Sequence, residues 1–571
     1  MSHRGAGETH PFELVAGVAL AGLALVGLCV WLIGGVAGVL FGAGWPRVGA
    51  GDVAGVLFAV PDHLADPRSA WPPAARADLP SATGMYAALA LVLFGVALAV
   101  GLTMRVTTGL THAKGGARWA QRRDLAPLLV RSSQSGRLTL GRHGSRLVAV
   151  ERGHSALVIA PTQTGKTTAL AIPAVLEWQG PVLATSVKTD LLRDTITARA
   201  HMGRVELFDP GDSTGLASAS WSPLAGCMTW AGARRTAGWL TDGASPAKHS
   251  ISDGDFWYTA AAKLLAPILY AAATSGRTMG EVVAWIDRQE EAEVLDALDE
   301  TACEEALSAM RASWLRDDRQ RSSIYTTAET VLEAYADPGV LAHSEVNDIS
   351  AEDFLGGGIH TLFLSATVRE QRRLRPVFVA LIETVLEKAY ALAAATGKPL
   401  DPPLLVVLDE AANIAPLPDL DVIAATGAGH GVHLLTVLQD LAQAHERWGR
   451  DRADTILNNH RAKVIGTGIS DERTLDYVAR LLGDSETPQQ STTRGEHGRR
   501  STTDSTTYRP IAPGHSLREG KPGSALLVYG GLPPAWIRLR PWYRDRRLRS
   551  LATPASAPTP AGPRLGIDGD L

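Results

Sequence analysis

The stretch APTQTGKTTAL, residues 160–170, holds one glycine, one lysine and several threonines in an order that suits a phosphate. In the pattern G-x-x-x-x-G-K-[ST], backbone N–H groups and a helix N-terminus surround the anion. The lysine reaches its outer oxygens and the hydroxyl ligates Mg2+. Here the order is Ala160, Pro161, Thr162, Gln163, Thr164, Gly165, Lys166, Thr167, Thr168, so alanine replaces the first glycine. A small residue suffices there if its φ is negative. Gly165 lets the backbone approach phosphate, Lys166 would meet the β/γ oxygens, and Thr167 would ligate the ion. The expected cofactors are ATP and Mg2+.

Such a loop needs a carboxylate for its metal. PPLLVVLDEAAN, residues 402–413, reads as a buried parallel strand with Asp409 and Glu410 at its C-terminal end. Asp409 would complete the metal shell and Glu410 would polarise the attacking water. A strand that merely ends in two acids is the alternative. Gln439 closes another apolar run, HLLTVLQD at 433–440. Its amide would either sense the γ-phosphate or cap the following helix.

These groups require strands to carry them. ALVIAP at 156–161 precedes the loop, and TTALAIPAVLEW behind it reads as a helix. Further apolar runs at 181–187, 205–210, 361–366 and 462–468 complete a doubly wound α/β core, with ligands at the strands' C-terminal edge. Residues 224–344 switch to helical spacing, which indicates an all-α insertion. ATVREQRRLRP at 366–376 follows a strand and should bring Arg369, Arg372, Arg373 and Arg375 to the nucleotide edge. One of them, Arg375 being favoured, would complete a neighbouring subunit's site. Solvated helix-start residues, or contacts to DNA phosphates, are the alternative. The polar stretch 484–508 reads as a flexible loop.

Composition narrows the classes. The net charge of −4 excludes an overall basic nucleic-acid coat, so any such contact is local. Cys29, Cys227 and Cys303 form no C-x-x-C pair, which argues against a zinc ribbon or a disulfide framework. Residues 14–46 and 79–104 carry no charge, and about 20 apolar residues cross a bilayer. Ten Lys/Arg against two acids follow the second run, between residues 105 and 152. By the positive-inside bias both termini are cytoplasmic, in an inner or plasma membrane protein with two spans. The expected organisation is a membrane anchor at 1–104, with spans at about 14–42 and 84–104. The nucleotide-binding domain occupies 105–223 and 346–550, the all-α domain 224–345, and a disordered tail 551–571.

Residues 406–443, VVLDEAANIAPLPDLDVIAATGAGHGVHLLTVLQDLAQ, resemble the type IV coupling protein family, the TraG/TraD-like ATPases of conjugative systems. The likeness rests on Asp409-Glu410, Asn413, Pro418-Asp419-Leu420, Ala425-Thr426-Gly427, Gly431 and Gln439 before LAQ. GGARWAQRRDL, FWYTAAAKLL and PPAWIRLRPWY follow the family's order as well. At 186–190 this chain has SVKTD where members carry Asp-Pro-Lys-Gly-Glu, so Lys188 and Asp190 keep two chemistries and Ser186 loses one. The resemblance implies a RecA-like P-loop NTPase core and a homo-oligomer, a hexameric ring with nucleotide sites between subunits. It further implies a cargo of DNA, single-stranded ahead of duplex, with a relaxase-type protein and secretion channel components as partners. An FtsK-type duplex translocase and a nucleotide-regulated adaptor for protein effectors are the alternatives.

The orientation is directly testable. A topology reporter fused near Asp66 should read as exported, and one fused after Asp545 as cytoplasmic. The reverse pattern would put the phosphate loop where no ATP could reach it.

Overall fold

A computed structural model describes residues 11–111, 116–246, 253–494 and 500–553. The chain forms two compact units, Met1–Gly115 and Gly116–Leu571. In the first, the two uncharged runs become the helices Pro11–Phe41 and Ala82–Thr111. Trp71, from the segment between them, is buried against the first helix where Gly34 leaves room; a Cβ there would lie 2.0 Å from the indole. Residues Ala82–Gly101 have a mean hydropathy of 2.2, yet only 11 % of the stretch is buried. Leu91, Phe94 and Leu98 all face outward. So much exposed apolar surface suits lipid rather than water, and with the apolar helix Val26–Phe41 it fits membrane anchoring. A third apolar helix, Asp253–Thr274, passes the same length criterion but is 61 % buried over Gly254–Thr274. It is a core helix of the second unit.

Among the described residues, the second unit is built on a twelve-stranded sheet. Its strands are β1 (Leu129–Val130), β2 (Thr139–His143), β3 (Arg146–Ala149), β4 (Ala156–Ile159), β5 (Val182–Ser186), β6 (Val205–Phe208) and β7 (Thr361–Ser365). They continue with β8 (Leu404–Leu408), β9 (Val432–Leu438), β10 (Ala462–Gly466), β13 (Ser524–Tyr529) and β14 (Ala535–Arg538). A separate hairpin is made of β11 (Asp484–Arg494) and β12 (Arg500–Pro510). The order β10-β4-β9-β8-β5-β7-β6 is parallel throughout. β13, β14, β2, β3 and β1 extend it antiparallel beyond β10.

Both faces of the parallel part are covered, as uninterrupted apolar strands require. Alternate residues feed different cores. Leu157 and Ile159 join a cluster with Leu264, Phe354 and Phe378. Val158 and Ala160 join one with Leu170, Val175 and Leu435 on the other face. The helices from Trp230–Ala244 to Ala351–Leu355 lie between β6 and β7 in sequence. They share a single buried cluster with one sheet face instead of closing a core of their own.

A buried ion pair fixes the helix behind the phosphate loop. Arg540, just past β14, donates to both carboxylate oxygens of Glu177 at 3.1 and 3.2 Å, and Thr139 of β2 donates to the same group. The loop's helix, Ile172–Glu177, is thereby tied to the antiparallel wing.

One expectation fails here. The polar stretch read as a flexible loop is the β11–β12 hairpin, paired from Asp484↔Pro510 to Arg494↔Arg500. Low hydrophobicity concealed the strand preference of threonine and its cross-strand pairs, such as Thr487↔Thr507 and Thr492↔Thr502. Of the expected tail, residues 551–553 complete the helix Arg546–Ala552 or directly follow it, and the remainder lies outside the described residues.

Candidate nucleotide-binding site

β4 runs into the phosphate loop, and the chain enters its helix through a π turn at Thr167–Ala171, a geometry frequent at functional sites. Left-handed backbone falls at Gln163 (φ 63°) and Gly165 (φ 83°), and Ala160 is not among the positive-φ residues. That explains how alanine replaces the first glycine. The accommodation comes from the neighbouring strand, where a Cβ at Gly466 would lie 2.7 Å from the Ala160 Cβ. The loop is braced from within, Thr164 donating to the Pro161 carbonyl at 2.7 Å and Thr168 to the Gly165 carbonyl at 3.2 Å. Pro161 and Thr162 complete its rim. Lys166 is buried, and its Nζ donates to the Ala160 carbonyl at 3.3 Å. Burial lowers its pKa, against the opposing pull of Asp409 and Glu410.

β8 delivers the acids. β9 lies between β4 and β8, so the phosphate loop and the acidic pair emerge at the same sheet edge, one strand apart. Thr167 Oγ1 donates to Asp409 Oδ2 at 2.8 Å. Asp409 Oδ1 is buried without a hydrogen-bond partner. Burial pushes the Asp409 carboxyl up to about 6, partly offset by the Thr167 hydroxyl and reinforced by Glu410. A buried carboxylate oxygen with an open coordination position, beside a threonine hydroxyl, is a donor set that fits a hard divalent cation.

Glu410 adopts left-handed backbone, φ 60° and ψ 49°, at the start of the short helix Ala411–Ile414. A non-glycine residue held there stores strain, and such residues cluster at functional sites. Its side chain ends a relay across three elements. Asn413 Nδ2 lies 3.4 Å from Glu410 Oε2, and Gln443 Nε2 donates to Asn413 Oδ1 at 2.9 Å. Gln443 Oε1 in turn accepts from the Gln439 backbone N–H at 3.3 Å. Gln439 follows β9 directly, between the loop and the acids. Asp440, not Gln439, caps the next helix, Leu441–Trp448. The relay roles of Asn413 and Gln443 emerge only from the fold. Their spacing, i+3 from Glu410 and i+4 from Gln439, is the one clue to them in the sequence.

The four arginines of the turn at 366–376 have different surroundings. On the helix Gln371–Thr396, the half-buried Arg375 donates through Nε to the Asn413 carbonyl of its own chain at 3.1 Å, and burial lowers its pKa. Within its own chain it thus contacts the short helix that follows the acidic pair. Arg373 pairs with Asp337 at 2.7 Å and with Glu370 at 3.4 Å. Arg369 and Arg372 are exposed.

The raised Asp409 pKa has a definite sign. In the cation-free protein the folded state holds this proton up to about pH 6, above the ordinary carboxyl value of 3.8. Stability is therefore lost as pH rises from about 4 through 6. Asp409→Asn should stabilise the cation-free protein at pH 7.5, by on the order of 2–3 kcal/mol, and have little effect at pH 4. Chemical denaturation at the two pH values checks this, and an equal effect at both would contradict the assigned burial.

Comparison with known proteins agrees with this geometry. The family described as "Type IV secretory system Conjugative DNA transfer" matches residues 120–561. A protein VirD4 from Rhizobium radiobacter is 24 % identical over 82 % of this chain and 70 % of its own. A conjugal transfer protein TraG from Escherichia coli is 24 % identical over 79 % and 80 %. Among solved structures, the unbound bacterial conjugative coupling protein TrwB superposes with a TM-score of 0.59 at 18 % identity, covering 74 % of this chain and 92 % of that one. The same protein in complex with ADP and Mg2+ gives 0.57 at 19 % identity, over 75 % and 94 %. The fold is thus that of a RecA-like P-loop core with a helical insertion. The match across most of its length makes this chain a member of the type IV secretory system conjugative DNA transfer family, the coupling proteins of conjugation.

Proposed function

We propose that this chain is a membrane-anchored ATPase that couples DNA, or a protein–DNA complex, to a type IV secretion channel. The observation that carries the reading is the 2.8 Å contact of Thr167 with Asp409, whose second oxygen lacks a partner, directly beside the strained Glu410. Bound ATP would supply the scissile phosphoryl group, and Mg2+ would neutralise its charge. Backbone N–H groups of the loop 160–168, Pro161 excepted, would hold the phosphates, and Lys166 would leave the Ala160 carbonyl to meet them. Thr167 and Asp409 would hold the ion. Glu410 would accept the proton of an attacking water, its carboxylate aimed by Asn413. Gln439, just past the strand between the two loops, would report the state of the phosphate through Gln443. Arg375 would act within its own subunit, supporting Asn413 from below.

The family likeness supports a homo-oligomeric, hexameric assembly acting on single-stranded DNA with a relaxase-type partner. The charge asymmetry around the apolar helices supports two spans in the inner or plasma membrane with both termini cytoplasmic.

The two loops should fail in different ways. Lys166→Ala should weaken binding of a fluorescent ATP analogue as well as turnover. Glu410→Gln keeps shape and loses the base, so binding should persist while kcat falls about 10²–10⁴-fold. Steady-state phosphate release, with and without single-stranded and duplex DNA, measures both. Equal turnover by wild type and Glu410→Gln would remove Glu410 from the chemistry.

A further inference from the structure

Two segments have no part in the site above: SVKTD at 186–190, and the start of the arginine turn, ATVRE at 366–370. The fold brings them together. β5 pairs with β7 in parallel, Ser186 opposite Ser365, so both segments leave the sheet side by side at its C-terminal edge. They line an open concavity of about 580 Å³, to which the segment after β6 adds Ser213.

The charges there are unbalanced. Lys188 and Arg369 are both exposed, and neither side chain has a hydrogen bond or ion pair among the described residues. Three of the acids close by are already engaged, and Asp212, next to Ser213, is exposed. Asp209 accepts from Ser213 and Thr214, Glu370 from Thr367 and Arg373, and Asp190 from the Leu191 N–H. Beside Arg369, Val368 is 72 % exposed, an apolar side chain that the fold leaves uncovered.

We propose that this concavity is a second anion-binding surface, taking the phosphodiester backbone of single-stranded nucleic acid through Lys188 and Arg369, with Val368 against its sugars. The inference rests on the motor reading above and names the surface that grips the strand. A free nucleotide is the other source of phosphate, and the geometry favours the polymer. The compact phosphate cradle of the chain, with its left-handed glycine, is at Gly165. Here two long, separate cations flank an apolar side chain, which suits successive phosphates along a chain. Contacts of this kind hold a backbone and carry no sequence information. The surface lies beyond β8 from the phosphate loop.

The test uses the full chain in detergent, with fluorescence polarisation of labelled oligo-dT at a series of KCl concentrations and no nucleotide. Removing one cation that neutralises a phosphate lowers the slope of log K against log salt by about 0.7, so Lys188→Gln/Arg369→Gln should flatten it by about 1.4 per protomer bound to the strand. Lys188→Arg/Arg369→Lys should keep the wild-type slope. Both variants should bind a non-hydrolysable ATP analogue with unchanged affinity, which also shows that they are folded. An unchanged slope in the glutamine pair overturns the inference and leaves the motor reading intact. Weakened analogue binding with an unchanged slope would assign the surface to nucleotide and overturns it equally. Wild-type protein that binds no oligonucleotide would overturn the motor reading itself.

Discussion

A hydroxyl and a carboxylate 242 residues apart in the chain meet at 2.8 Å, Thr167 donating to Asp409. The contact forms only if β4 and β8 run parallel, separated by the single strand β9, with their C-terminal ends level. Ion pairs cannot impose that arrangement cheaply, because burying charge is costly. Register can. The parallel strands present apolar side chains to both faces, and a slip of one residue would exchange the two cores they feed. The sheet thus holds in place groups that are unfavourable where they stand. These are a carboxyl raised by burial, an oxygen without a partner, and a glutamate in left-handed backbone. Local departures of this kind at a site, enforced by a consistent fold elsewhere, are what a binding site prepared for a charged ligand requires.

The surroundings show how the site is kept rigid. Gly466 makes room for Ala160, so the alanine in the first loop position is matched by a missing side chain on the next strand. Arg540 and Glu177 secure the helix behind the loop. Glu410 is held by Asn413, and Asn413 by both Gln443 and Arg375, which come from different helices. A displacement of either helix would move Glu410. The helix that carries Arg375 also packs against the helical insertion: at Gly243, a Cβ would meet the Pro376 Cα at 2.7 Å.

Much of this was legible in the sequence because parallel strands buried on both faces are written as short uninterrupted apolar runs. Those around 156–161, 205–210 and 433–440 became β4, β6 and β9. The residue types at their ends point to phosphate and metal chemistry on their own. Other features were not legible, for physical reasons. The β11–β12 hairpin is polar, and only its pairing reveals the strands. The side of its helix that Arg375 uses depends on where Asn413 lies, and the Asn413–Gln443 bond joins helices 30 residues apart. An apolar helix such as Asp253–Thr274 is separated from a membrane span by its neighbours and not by its composition. Tertiary contacts decide each of these, and no local pattern encodes them.

The central claim is that Thr167 and Asp409 act as one unit, brought together by the sheet to hold a divalent cation at a bound nucleotide. A double-mutant cycle on Mg2+-dependent affinity for a non-hydrolysable ATP analogue, using Thr167→Val and Asp409→Asn, measures it most directly. The account predicts that each single change weakens binding and that the double variant is scarcely worse than the poorer single one. That corresponds to a coupling of about 1–3 kcal/mol. Losses that simply add, within about 0.5 kcal/mol, would mean that the two groups act independently and would contradict it.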